Sequence, residues 1–387
     1  MTIMQTLNKS YKNLGILSFS LVCSVASFAG QSTTLKVMGY NVQNLFDTVD
    51  SPDTNDVEFT PTGAQKWTEQ TLSDKIANLT EVIQNENASV LGLSEIENAE
   101  VLKKFQKSLA KIGYRYALAA RSDDGRGIRT ALVSKFPIVS NANHRVWSDS
   151  WKGADGTIQK TRDIQEVTID ASSIGSNFEP AKTFPKLLRR NAWEIMGSSN
   201  LLVTFLLNHW PSRGGGPIRD VYRLDVAKQH AQIVKNIVGK NPDRYLISLG
   251  DFNDELHNAS FQNGMDITQS YDALRSAPVG AVYATDSEFD ALSNQEKGTY
   301  YFAKDKVWNA LDHILVSKGA NLLSGRTQGF TYRKGSTKIV RPAKFMDQKI
   351  YPAGCELKNK GRSADGLRCL KGASDHLAMT ALFDLNI

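Results

Sequence analysis

Six times along this chain a short apolar run meets a polar residue of the kind that does chemistry, and the six places span nearly its whole length. Residues 35–40 run into Asn41, 90–93 into Glu95, 201–207 into Asn208 and His209, and 245–249 through Gly250 into Asp251 and Asn253. Two further runs carry their polar residues in front: Asp312 and His313 precede 314–316, and Asp375 and His376 precede 377–383. Such short β-rich runs read as strands. Side chains scattered from 41 to 376 act together only if one domain gathers them, and no linker interrupts the sequence. Between the strands, Leu72, Ile76, Leu79 and Ile83 share one face at helical spacing, as do Leu224, Ala227, Ala231, Val234 and Val238. Strands mixed with helices of this kind predict an α/β protein whose sheets are covered by helices.

The 387 residues are 41% hydrophobic and 22% charged, enough apolar material for one large core and not a disordered composition. The formal charge of +6 points weakly toward an anionic partner. The first 29 residues differ from the rest. Lys9 and Lys12 precede an apolar stretch from Ile16 to Phe28, and Ser27-Phe28-Ala29 supplies small residues for cleavage after Ala29. This reads as a secretory signal peptide, with a single catalytic domain over 30–387. The apolar stretch is shorter than the roughly 20 residues a membrane anchor needs, so no stable membrane association is expected. Cys23 would leave with the signal. Cys355 and Cys369 then remain, and export to an oxidising compartment predicts a disulfide between them.

Glu95, Asp251, Asp312 and Asp375, joined by the amides Asn41 and Asn253, form an oxygen-rich set. Oxygen donors suit a hard cation, Mg²⁺ foremost, with Mn²⁺ or Ca²⁺ as alternatives. No paired cysteines or His-x₃-His spacing suggests zinc. Carboxylates beside imidazoles are what phosphoester hydrolysis requires: a cation to neutralise phosphate oxygens, a base to take a proton from water, and a donor for the leaving alkoxide. The acidic stretch 47–61 lacks the glycine and terminal glutamate of an EF-hand and reads as a solvated turn.

The strings Gly39-Tyr40-Asn41-Val42-Gln43-Asn44, Leu93-Ser94-Glu95-Ile96-Glu97, Asn208-His209-Trp210-Pro211-Ser212-Arg213, Gly250-Asp251-Phe252-Asn253, Leu311-Asp312-His313 and Ser374-Asp375-His376 stand in this order. Together they resemble the endonuclease/exonuclease/phosphatase superfamily, the fold of deoxyribonuclease I, and its secreted bacterial branch in particular. The resemblance covers residue 35 to the C-terminus. It implies a four-layer α/β sandwich: two packed mixed β-sheets flanked by helices, with the site at one edge. It further implies that Glu95 is the principal metal ligand with Asn41 nearby, and that Asp375 lies in or near a second metal position. Asp251 and Asn253 would orient phosphate and attacking water. Asp312 and His376 would form a carboxylate–imidazole pair, and His209 would face the phosphate from the opposite side. Arg162 matches the family arginine that touches backbone phosphate. Arg213 adjoins Gly214-Gly215-Gly216, a run that permits close backbone approach, and is expected to hold a phosphate too. The sequence departs from deoxyribonuclease I at one point. The histidine matching His209 is braced there by a glutamate, whereas residues 121–129 here offer only Asp123 and Asp124. His144, His230, His257 and His313 read as structural, and Trp210 as packing.

Members of this superfamily cut DNA, RNA, inositol phosphates and sphingomyelin with much the same residues, so substrate must be argued separately. Residues 325–371 carry twelve Lys or Arg against three acids, and begin and end beside expected site residues. A basic insertion there suits a long polyanion. The expectation is a secreted, metal-dependent nuclease of low sequence specificity acting on DNA and also RNA. The alternative is a phosphomonoesterase or phosphodiesterase for small organic phosphates or phospholipid head groups. No protein partner is expected.

Overall fold

A computed structural model describes residues 32–172, 201–317, 329–347, 351–352, 356–357, 367–368 and 372–386, apart from 154, 242 and 243. The expected signal peptide, Cys355, Cys369 and most of 171–200 lie outside them.

Two mixed sheets account for most of the strands. The first runs in the order β13 (Gly329–Tyr332), β19 (Met379–Asn386), β1 (Ser32–Leu45), β2 (Val90–Ile96), β4 (Arg129–Ser134), β3 (Tyr116–Ala119), with β14 (Lys338–Ile339) also on β19. The second runs β5 (Ile138–His144), β6 (Ile164–Asp170), β7 (Leu202–His209), β8 (Tyr245–Asp251), β12 (Asp312–Ser317), β9 (Val282–Ala284). Each has one parallel pair at its centre, β1 with β2 and β7 with β8. A separate hairpin joins β10 (Tyr300–Phe302) to β11 (Val307–Asn309). Two small pairs complete the set, β15 (Met346–Asp347) with β16 (Tyr351–Pro352) and β17 (Glu356–Leu357) with β18 (Leu367–Arg368).

The inner faces of the sheets meet in a core of Leu35, Val37, Val90, Val203, Phe205, Leu207, Ile247, Leu249 and Ile314. The sheets approach closely at Gly92, where an added Cβ would lie 2.9 Å from both Leu207 and Leu249 side chains. Alanine at that position would therefore force those leucines to shift. Helices α1 (Glu69–Glu86) and α2 (Ala99–Leu109) cover the outer face of the first sheet through Leu72, Leu79, Ile83, Leu102 and Phe105. Helix α3 (Ile218–Lys240) covers the second through Val226, Ala227, Val234 and Val238. Both helical stripes read from the sequence are thus core faces, and the layers are helix, sheet, sheet, helix.

The basic segment differs from its expected form. Residues 329–332 and 338–339 are edge strands, with Phe330 and Tyr332 buried against Phe383, so this part is built into the sheet and is not an insertion. Its described cations are also largely spoken for. Arg333 pairs with Asp384, Lys334 with Asp272, Lys338 with Glu86 and Lys344 with Glu81, while Arg341 lies over Trp308.

Candidate active site

The topology itself collects the chemistry. β1, β2, β7 and β8 end near Asn41, Glu95, His209 and Asp251. β12 and β19, antiparallel to β8 and β1, begin at or just after Asp312 and His376. Asp251 is the direct register partner of both His209 and Asp312. Glu95, His209, Asp251 and His376, with Asp375 and Asn253, line a cleft of about 840 Å³, and Asn41 and Asp312 lie behind them.

Irregular backbone aims the side chains. The β1–β2 register shifts between Asn41 and Leu45, and Glu95 itself takes a left-handed φ of 67°. A non-glycine residue in that region costs of order 1–3 kcal/mol and persists only where its surroundings hold it. Here they do: the Asn44 N–H donates to Glu95 Oε2 at 2.8 Å, and Asn41 Nδ2 lies 3.3 Å from Oε1. Gly250 has φ 134°, and a Cβ there would fall 2.2 Å from the Asn208 carbonyl, so only glycine lets β8 deliver Asp251 beside His209. Asn253 follows at φ 53°, donating its amide to the Trp210 carbonyl and its N–H to Asp251 Oδ1.

The two imidazoles differ in electrostatic setting. His376 Nδ1 lies 2.8 Å from Asp312 Oδ2, and its Nε2 is 3.9 Å from Asp251. Burial opposes its charge, but Asp312 and then Asp251 outweigh burial and push His376 up to about 10. His209 is lowered well below the usual histidine range by burial and by the nearby Arg162 and Arg126 guanidinium groups, so it is neutral. Its Nδ1 has no hydrogen-bond partner among the described residues. Its Nε2 faces Glu95 and Asp251 oxygens at 3.8 and 3.7 Å, beyond hydrogen-bond reach. Burial raises the Asp251 carboxyl, a direction suited to a base that must accept a proton near neutral pH.

Glu95 and Asp375 offer oxygen atoms to this cleft, while Asn41 stands behind them, its Oδ1 accepting the Gln43 N–H at 2.9 Å and its Nδ2 donating to Asp251 Oδ2 at 3.0 Å. Among the described residues no three His, Cys, Asp or Glu side chains close into a metal cage. A sparse, all-oxygen set fits Mg²⁺, which takes one or two carboxylates and keeps its waters. Behind the set, Lys75 of α1 is buried, with its ammonium 3.1 Å from the Ala373 carbonyl and its pKa lowered to about 8 by burial.

The two expected phosphate arginines are otherwise engaged. Arg162 is buried and donates to the carbonyls of His209 and Trp210 and to Asp124. This guanidinium, assigned to substrate phosphate by resemblance, is turned onto protein acceptors. Arg213 lines the cleft but donates to the Asn253 carbonyl and to the side chains of Asn309 and Asn258. Cleft-facing cations that sequence reasoning passed over are Arg126, Lys160 and Arg219; on the same lining, the β10–β11 hairpin presents Tyr300 and Phe302. Alternation along β10 is the signal that could have found the aromatic pair, since Tyr301 between them packs on Trp308.

Three of the four other histidines have structural partners, and the fourth, His257, is exposed. His313 donates to Asp286 and to the Asp254 carbonyl, His230 meets Ser248, and His144 meets Glu166. Trp210 is buried against Phe252 and Phe261.

Solved structures similar to this chain include TDP2 from Caenorhabditis elegans, 16% identical over 90% of this chain and 74% of that one, TM-score 0.48. An endonuclease/exonuclease/phosphatase family protein from Bacteroides thetaiotaomicron is 16% identical over 92% and 96%, TM-score 0.47. The human Nocturnin catalytic domain, solved with bound sulfate, is 15% identical over 91% and 94%, TM-score 0.47. No curated protein sequence matches the chain. Residues 36–178 and 176–384 match the Endonuclease/Exonuclease/phosphatase family, and the chain is a member of that family and, with it, a phosphoester hydrolase.

Proposed function

We propose that this hydrolase is exported, depends on a divalent cation, and cuts nucleic acid with little regard to sequence. The observation that carries the substrate assignment is the composition of the cleft. Carboxylates and two imidazoles line it together with Arg126, Lys160, Arg213 and Arg219 and the rings of Tyr300 and Phe302. Such a lining suits a chain of phosphates with bases able to stack. The basic segment 325–371, whose described cations are mostly paired, contributes less than its composition suggests.

Glu95 and Asp375, with Asn41, would hold the cation, which when bound neutralises phosphate oxygens and lowers the pKa of water. Around it the chain's own groups divide the work. Asp251, fixed by Asn41 and Asn253, takes the proton of the attacking water. His209 donates from Nε2 to a phosphate oxygen. The His376 imidazolium, held by Asp312, offsets charge that builds on the phosphate.

Export rests on the 29-residue leader. Inside the basic segment, Glu356 is the antiparallel partner of Arg368, and these are the chain neighbours of Cys355 and Cys369, which supports a disulfide between the two cysteines.

Incubation of circular plasmid with the purified mature protein tests the reading. Nicking with Mg²⁺ that EDTA abolishes is the expected result. No cleavage of DNA or RNA, with turnover of small phosphoesters retained, would overturn the nuclease assignment and leave the hydrolase.

A further inference from the structure

We infer that Arg162 and Asp124 form a positioning pair that fixes His209 through its main chain, in place of the missing carboxylate brace, and that Arg162 does not bind substrate. The guanidinium lies just before β6, where Arg162 bridges Ser122 of the facing loop. Its Nε donates to the His209 carbonyl at 3.1 Å and its Nη2 to the next carbonyl, Trp210, at 2.6 Å. Nη1 meets Asp124 Oδ2 at 2.9 Å. A rigid fork that grips two consecutive carbonyls fixes the peptide between them, which a point-charge ammonium cannot do.

Asp124 is held in its turn. Its N–H donates to Ser122 Oγ, and its Oδ1 accepts the Arg126 N–H. The far side of the same backbone is equally fixed, because the Trp210 indole donates to Asn208 Oδ1 at 3.1 Å and Asn208 Nδ2 donates to Ser248 Oγ at 2.8 Å. Residues 208–210 are therefore gripped on both sides, while the imidazole between them has no partner on Nδ1 among the described residues. Orientation of that ring comes from where its backbone is held. The Arg162 charge is neutralised by Asp124 in a site where its side chain is 6% exposed. Both guanidinium groups line the cleft, but Arg126 is 40% exposed against 6% for Arg162 and is the better placed for substrate.

The proposal rests on the hydrolase site described above but not on the nucleic-acid assignment, and two readouts separate them. With only six histidines in the full chain, ¹⁵N-histidine labelling yields an assignable imidazole spectrum. R162M and the isosteric D124N should both move the His209 signals in the same direction and leave His257 and His313 in place. An unmoved His209 signal in folded R162M or D124N would overturn the proposal. In kinetics on whichever phosphoester the wild type turns over, R162M and D124N should each lower kcat at least tenfold with KM changed less than twofold. R162K, lacking the fork, should not rescue. Adding R162M to H209A should cost less than a further twofold, since both changes remove one unit. A further tenfold loss in that background, or a rise in KM with steeper salt dependence, would make Arg162 a phosphate ligand and refute the inference.

Discussion

Replacing Asp312 by asparagine keeps the shape of the side chain and removes the charge that holds the His376 imidazolium. The imidazole stands at about 10 against an ordinary 6.5, a gap equivalent to ~5 kcal/mol between its two protonation states. Asp312 leads that pull and Asp251 adds to it, so the asparagine variant should forfeit about 3 kcal/mol, in the range for breaking a buried pair. Because the folded pKa is raised, this contribution is complete below pH ~6.5 and fades as pH rises through about 10. Denaturant titrations of wild type and D312N should accordingly differ most near pH 6 and converge toward pH 10. If His376 stabilises transition-state charge only as the imidazolium, the same ~3 kcal/mol withdraws about two pH units from the range in which it is charged, so D312N should stay near wild type at pH 6 to 7 and lose kcat about tenfold near pH 9. NMR titration of labelled His376 is the direct assay. An imidazole in D312N that is still fully protonated at pH 9 would refute the account of how the site is charged.

Glu95→Ala and Asp251→Asn should each abolish hydrolysis while leaving cooperative thermal unfolding intact, as read by calorimetry; full activity in either would displace that residue from the site. Cleavage of nucleic acid should fall steeply with salt, and Arg126→Ala should lower the slope of log KM against log salt by about 1 if that side chain meets one phosphate. The exported protein should show no free thiol until reduced, and reduction of the 15-residue Cys355–Cys369 loop should cost about 3 kcal/mol in denaturant stability; one titratable thiol per chain would rule the pairing out.

Asn41, Glu95, His209, Asp251, Asp312 and His376 were legible because each sits where an apolar run starts or stops, and the sheets bring those points to one edge. The helices were legible because their stripes repeat with period 3.6. Partners across the fold were not. Nothing local marks Lys75 as a buried cation 298 residues from the carbonyl it meets, or Arg162 as bound to the backbone of 209 and 210. Composition misled at 325–371, where charge density resembled a binding loop. The alternation at Phe330 and Tyr332, a strand signal, was drowned by the surrounding lysines and arginines, whose acidic partners lie far along the chain.

The pairing of β19 with β1 has a temporal side. Strand β1 is synthesised before strand β19, yet its register partners run from Asn386 back to Met379, close behind Asp375 and His376. Once Asp312 has been made the chain holds a half-built site, with Glu95, His209, Asp251 and Asp312 present and Asp375 and His376 still absent. Catalytic competence arrives only once Asp375 and His376 have been made and β19 has paired with β1, so products stalled before that point would be inert as hydrolases.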